Sequence, residues 1–263
     1  MPAIVSNVLK DSIASELELE KGDEIISING EKPKDLIDFR YMMCEENLDL
    51  EIKKLNGEVE IYEIEKDFDE DLGVVFESAV FDRIKPCTNR CIFCFVDQQP
   101  DGLRKSLYIK DDDYRLSYLQ GTYVTLTNLT QKDRERIESL HLGPLYVSVH
   151  TTNPDLRAKM LNNPKAANIL EDLKWLKKAD IPVHAQIVLC PGYNDGKELE
   201  RTLDDFAKFK SIIRSVAIVP VGITKFHKNN LKEITKENAL HVIKQVEDFN
   251  KKVKKHLAMA SDE

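Results

Sequence analysis

From residue 72 onward the sequence alternates short apolar runs with longer stretches of helical spacing, and that rhythm is the tightest constraint on the fold. Strands separated by helices form parallel sheets, because a parallel pair needs a crossover of a dozen or more residues. The strand-like runs are 79–84, 123–127, 145–150, 183–189 and 215–221, with the start of a sixth in LAMASDE at 257–263. Between them, Thr130 and Asp133 stand as a capping box for a helix over 131–140, and Asn153-Pro154 opens another. A third carries Leu170, Leu173, Trp175 and Leu176, a fourth spans about 198–208, and Thr235 opens a long helix to about residue 256. The alternation predicts an α/β protein built on a parallel sheet. In a parallel barrel the working residues lie at the C-terminal ends of strands and on the loops that follow. That rule selects the loop after the first strand, with Cys87, Cys91 and Cys94, then Asn128, Ser148 with His150, Cys190, and Thr224 with Lys225.

The first seventy residues follow a different rule. Short strands around Ile4–Val8 and Ile25–Ile28, Asn-Gly turns at 29–30 and 56–57, and helical spacing over 34–44 describe a small α+β sheet. Residues 1–71 carry eight Lys and Arg against 21 Asp and Glu, whereas residues 72–263 carry 30 against 25. The acidic part repels nucleic acid and the mildly basic remainder suits an anionic ligand. Neither shows the concentrated basic stripe of a DNA-binding module, so a nucleic-acid partner is not expected. The run DSIASELELEKGDEIISING resembles a PDZ domain, which predicts residues 1–70 as a PDZ-like domain and 71–263 as a second one. PDZ-like domains capture peptides by adding a strand to a sheet edge, and a protein partner is expected there. No glycine-rich carboxylate loop precedes the first strand, so a structural or docking role stands beside peptide capture.

The start of the chain lacks a signal-peptide stretch, and no window reaches the ~20 apolar residues of a membrane span. The expected setting is the cytoplasm, with no membrane partner. There, clustered cysteines serve metals or catalysis rather than disulfides. CTNRCIFC at 87–94 spaces three thiols as C-x3-C-x2-C. Structural zinc takes four protein ligands and catalytic zinc three plus water, while iron–sulfur clusters take thiolates, typically four. Three cysteines leave an open metal position, unless His150 or Cys190 supplies a fourth ligand.

CTNRCIFC, with Phe93 before its last cysteine, resembles the cluster signature of radical S-adenosylmethionine enzymes. The stretches DGLRKSLYIKDDDYRLSYLQGTYVTLTNLT, SVHTTNPDLRAKML, QIVLCPGYNDG and VAIVPVGITKF resemble an uncharacterised bacterial family within it. Members of that family join a PDZ-like domain to the radical core and usually continue into a further C-terminal domain, so this chain is expected to be truncated near its sixth strand. The resemblance implies a partial (βα)6 TIM-like barrel holding a [4Fe-4S] cluster through Cys87, Cys91 and Cys94. S-adenosylmethionine would bind the open iron and yield a 5′-deoxyadenosyl radical that abstracts hydrogen from an unknown substrate. An external electron donor such as flavodoxin or ferredoxin is implied. Where many relatives carry Gly-Gly-Glu after the second strand, this chain has Asn128-Leu129-Thr130. Asn128, Thr130, Ser148, His150 and Gln186, with Phe93, are the candidate cofactor contacts; capping or core hydrogen bonding is the alternative for Ser148, His150 and Gln186. Cys190 is the candidate catalytic thiol, with a small buried hydrophobe as its alternative. Cys44 is expected to be structural, and Asp111-Asp112-Asp113 a solvated acidic face, with substrate contact as the alternative. A non-enzymatic iron–sulfur scaffold, docking a partner through the acidic domain, is the competing function, and a zinc-stabilised module is a third.

Overall fold

Period-two burial organises the N-terminal strands in the computed structural model, which describes residues 2–261. Ala3–Val8 (β1), Glu24–Ile28 (β2), Asn47–Lys53 (β3), Val59–Glu65 (β4) and Val74–Phe76 (β5) make one antiparallel sheet, ordered β4-β3-β2-β1-β5. Along β3, Leu48, Leu50 and Ile52 are buried while Asn47, Asp49 and Lys53 face solvent, as a half-buried strand requires. The turns fall where left-handed residues permit them, at Asn29-Gly30 and at Gly57. Ser12 caps the short helix Ile13–Glu16 (α1), and the buried Asp35 caps Leu36–Met42 (α2) by accepting from the amides of Ile37 and Asp38. Phe39 of α2 meets Phe76 of β5 edge-on at 4.8 Å, and Phe81 follows at 4.7 Å from Phe76. The chain divides into two compact units between Ile84 and Lys85.

The second unit is built on a parallel sheet. Leu145–Ser148 (β6), Val183–Leu189 (β7), Ile213–Pro220 (β8) and Ala258–Ala260 (β9) lie side by side in that order. Its helices are Tyr114–Gln120 (α3), Gln131–Ser139 (α4), Pro154–Leu161 (α5), Ile169–Lys178 (α6), Lys197–Lys208 (α7) and Lys236–Val253 (α8). The two faces of the sheet differ sharply. Val183, Ala185, Ile187 and Leu189 of β7 are buried, as are Val216 and Ile218 of β8, together with the apolar stripes of α6 and α7. The alternate residues form laterally registered rows that are only half-buried: Tyr146–His184–Ser215, then Ser148–Gln186–Ala217–Met259. Ser148 is the most enclosed of them, and Met259 is exposed. The helices cover one face and leave polar side chains along the other.

The expected six strands are not all formed. Residues 79–84 make no strand of this sheet; Val80 bridges to Asp35 and Phe81 enters the core of the first unit. Residues 123–127 contribute a single parallel bridge, Val124 to Val147. The cause is local: Leu126 has φ of 65°, and the Thr125 amide donates to the Asp112 carboxylate instead of a neighbouring strand. The sixth strand is present as β9, while the Asp262-Glu263 part of that expectation lies outside the described residues. Among the described residues no helix is long and apolar enough to cross a membrane.

Phe206 of α7 is fully buried beneath the sheet. Phe206→Ala is expected to destabilise the second unit by about 3–5 kcal/mol. The measurement is the urea midpoint of the transition reporting on that unit, with the first unit's transition unmoved.

Candidate metal and cofactor site

The three cysteines sit on a loop fixed mainly through its backbone. Pro86 bridges to Asp111, and the Cys87 amide donates to the Lys110 carbonyl at 2.9 Å. The amides of Arg90 and Ile92 donate to the Leu161 and Met160 carbonyls, both at 2.9 Å. Those are the last carbonyls of α5, which have no acceptor role left within their own helix. The Cys94 amide closes on the Cys91 carbonyl at 3.1 Å, and Asn229 donates to the Ile92 carbonyl at 2.7 Å. Cys91, Ile92 and Phe93 pack against a buried group of Met160, Leu161, Ala166, Cys190 and Val221. Cys190 and Val221 directly follow β7 and β8, so the cysteine loop lies at the C-terminal edge of the parallel sheet.

All three thiols are partly buried and free. Burial, reinforced by the neighbouring Cys87 and Cys94, pushes the Cys91 thiol up to about 12. Burial also raises Cys87, against the hydrogen bonds it receives from Asn89. The thiols are close enough to oppose one another's ionisation. Even so, among the described residues no three His, Cys, Asp or Glu side chains converge to hold a metal ion.

A polar network lies beneath the loop. Asn89 is buried; its amide nitrogen stands 2.8 Å from Thr125 Oγ1, 3.0 Å from Thr127 Oγ1 and 3.4 Å from Cys87 Sγ. Thr125 donates its hydroxyl to Asp112 at 2.5 Å. Asp112 and Asp113 are buried, which corrects the expectation of a solvated acidic face. Asp113 caps α3 and pairs with Arg115 at 2.7 Å, and burial raises the Asp112 carboxyl despite the Thr125 bonds. Lys110 pairs with Asp97 at 2.5 Å beside the loop. Sequence reasoning missed Asn89 and Arg157. The available signal was their position: Asn89 lies inside CTNRC, and Arg157 one helical turn past the Asn153 cap.

Arg157 is fully buried, and its four described hydrogen bonds go to backbone carbonyls: Val149 at 2.8 Å, Ala166 and Ser148 at 2.7 Å, and Thr125 at 3.1 Å. Burial pulls its pKa down to about 10. Gln98, also buried, ties the far side of the loop to the turn after β8 through the Gly222 carbonyl and the Thr224 amide. A side chain at Gly222 would meet the exposed Phe95 ring at 3.3 Å, so the ring lies close against the turn and would have to give way to a larger residue there.

The candidate contacts separate into committed and available groups. Thr130 caps α4 in a closed box with Asp133, its hydroxyl donating at 2.7 Å. Asn128 donates to the Pro86 and Asp112 carbonyls at 3.2 and 2.9 Å, leaving its carbonyl oxygen buried without a described partner. His150 accepts from the Val188 amide at 3.1 Å and meets Phe93 edge-on at 4.6 Å. Ser148 and Gln186 are register partners on the half-buried sheet face, and among the described residues neither side chain makes a hydrogen bond. Cys190 is fully buried and its thiol is pushed up to about 12, chiefly by burial. Neither the exposure nor the activation that a catalytic thiol needs is present, and it packs as a small hydrophobe. Cys44 is exposed at the end of α2, not part of a core.

Residues 66–216, more than half of the chain, match the family described as a radical SAM-like domain, and residues 4–54 match the PDZ domain family. The chain belongs to the radical SAM-like domain family and carries a PDZ domain ahead of that core. Members of the radical SAM family typically use S-adenosylmethionine and a [4Fe-4S] cluster. Similar solved structures include a radical SAM methyltransferase from Sphaerobacter thermophilus, 18% identical, with a TM-score of 0.36 over 53% of this chain and 39% of that one. Streptococcus suis SuiB is 12% identical, with a TM-score of 0.49 over 67% of this chain and 47% of that one. The PDZ domain of an SdrC-like protein from Listeria innocua is 18% identical, with a TM-score of 0.26 over 31% of this chain and 99% of that one. This chain thus spans less than half the length of either of the first two. No curated protein matches it.

Burial, with the charge of Arg157 added, pushes the His150 imidazole down to about 3. An unfolded histidine titrates near 6.5. Between those values the unfolded state binds the extra proton, so stability falls as pH falls through that window. From pH 7 to pH 4 this group alone is expected to remove about 3 kcal/mol. His150→Asn tolerates the φ of 65° and can still accept from Val188. Denaturant midpoints across pH 4–7 should show a flatter slope in the variant, whatever its stability at pH 7.

Proposed function

We propose that this chain is a radical S-adenosylmethionine enzyme that holds a [4Fe-4S] cluster through Cys87, Cys91 and Cys94 and acts on a substrate by hydrogen abstraction. The observation that carries the reading is the donor set itself: three free, partly buried thiols on one loop of a radical SAM-like domain. A cubane takes each thiolate at a different iron, so three thiols leave its fourth iron without a protein ligand. The raised pKa values of Cys87 and Cys91 fit the same reading, because buried thiols need a cationic centre to hold them as thiolates. When bound, the cluster and S-adenosylmethionine supply reductive cleavage of a sulfonium and a hydrogen-abstracting carbon radical.

The protein's own part is to position and enclose. Phe93 and His150 form an apolar, uncharged wall beside the cysteines, His150 being held neutral at physiological pH. Ser148 and Gln186 offer uncommitted polar groups on the half-buried sheet face, and we assign them as cofactor contacts ahead of Thr130, whose hydroxyl is spent on its helix. The unpaired carbonyl oxygen of Asn128 is a third acceptor near the loop. Reduction calls for an external donor such as flavodoxin or ferredoxin and a reducing, cytoplasmic setting. The PDZ domain supplies a protein-docking role, with the edge strands β4 and β5 as the places where a partner strand can add. The partial (βα)6 barrel remains part of the proposal, with β6–β9 as four of its strands.

After anaerobic reconstitution with iron and sulfide, the chain should bind about four irons, and with a reductant and S-adenosylmethionine it should release 5′-deoxyadenosine. Cys91→Ala is expected to abolish that release. A cluster-loaded chain that never cleaves S-adenosylmethionine would favour the iron–sulfur scaffold, and loading of zinc alone would reject both.

A further inference from the structure

Asn89 lies between two cysteines of the loop, yet its side chain points down into the polar network and is buried. The direction of its amide is fixed by an unambiguous donor two steps away. The Lys165 backbone N–H donates to Asn163 Oδ1 at 3.0 Å, so Asn163 must present its NH2 group on the other side. That NH2 donates to Asn89 Oδ1 at 2.7 Å. Asn89 therefore turns its own NH2 towards Thr125, Thr127 and Cys87, with Cys87 Sγ at 3.4 Å. On the far side, Thr125 passes its hydroxyl hydrogen to the buried Asp112. The side chain is thus held at both ends by groups that do not touch a metal.

We propose that Asn89 is a positioning residue for the cluster that also donates a hydrogen bond to the sulfur of Cys87, and that this bond makes the cluster easier to reduce. The inference rests on the cluster assignment above. A donor to a ligating thiolate disperses negative charge and favours the more negative, reduced state; hydrogen bonds to sulfur are among the recognised determinants of iron–sulfur potentials. The network fixes the direction in which the NH2 group points, so its place beside the sulfur is not incidental. Rotating the amide would set oxygen against the Thr125 acceptor and NH2 against the Asn163 donor, and buried groups so placed are costly. The Arg90 and Ile92 amides already anchor the loop backbone on α5, so loss of the Asn89 side chain leaves the main attachment in place.

The test uses the 263-residue chain, reconstituted with iron and sulfide, as wild type, Asn89→Leu and Asn163→Ala. Asn89→Leu keeps the branched shape and removes the donor without adding charge; Asn163→Ala removes the orienting group and touches no cysteine. The readout is the reduced-to-oxidised ratio of the cluster by electron paramagnetic resonance at a series of fixed ambient potentials, without S-adenosylmethionine. Asn89→Leu is expected to lower that ratio about tenfold at a given potential, the scale of one hydrogen bond to a charged group, and Asn163→Ala to shift it in the same direction by less. A purely structural role would lower the iron content of the variants but leave the ratio in their loaded fraction unchanged, and that outcome overturns the proposal. Wild type that takes up no cluster would overturn the assignment on which it rests, so the two failures are told apart.

Discussion

The cysteine-bearing end of the second unit depends on one buried guanidinium. Arg157 reaches from α5 to four carbonyls in three segments: the residue after the Val124 bridge, the end of β6 with the residue beyond it, and the turn before α6. Buried carbonyls need donors, and the guanidinium supplies one to each of them. A lysine cannot substitute, since three donors at one point do not span four acceptors arranged around a planar fork. With α5 held at its N-terminal side, its last carbonyls become fixed acceptors for Arg90 and Ile92. The position of the three thiols is therefore inherited from the helix, and the helix from Arg157.

This chain of dependence explains which parts of the molecule the amino-acid sequence discloses. β7 was legible because seven residues alternate buried and half-buried under a plain apolar rhythm, and α8 because Thr235 and Asn238 form a capping box. The cysteine loop was legible by spacing alone. Residues 79–84 were not, because a run of Ala, Val and Phe carries no information about which sheet it joins. Val80 and Phe81 complete the core of the first unit, whose acceptor for Phe81 is the Lys34 carbonyl. Residues 123–127 failed for the opposite reason. Their threonines suit a strand, but Thr125 and Thr127 are drawn into side-chain bonds with Asp112 and Asn89 that take the place of a ladder. Asp112 and Asp113 were hidden by their neighbour: three consecutive carboxylates look like surface until these two are matched with their donors.

The sheet's two faces divide the labour in a way that binary patterning anticipates only in part. One face is apolar and covered, and its burial stabilises the unit at roughly 25 cal/mol for each Å² removed from water. The other keeps a row of Tyr146, His184 and Ser215, tied by an Nδ1–Oγ contact of 2.7 Å and by stacking of the tyrosine on the imidazole at 4.7 Å. The imidazole and the Ser215 hydroxyl are thereby committed to each other, with the tyrosine ring stacked against the pair. The next row towards the cysteines holds Ser148 and Gln186, whose side chains are not spent in this way. Along the sheet, structural polarity gives way to available polarity within a single residue pair of register.

Charge around the loop is similarly rationed. Arg157 is the permanent cation within the core, and its field reaches Cys91, Asp112 and His150. A second buried cation beside it would meet that field at short range in a poorly solvated setting, so His150 stays neutral and serves as an acceptor and an aromatic wall. Cys87 and Cys91 are pressed the other way: burial raises both thiols, and at Cys91 the charges of Lys110 and Arg157 offset it only in part. Under the proposed function, a cationic metal centre would displace the protons of these thiols as it bound, so that loading and ionisation of the loop would be one equilibrium.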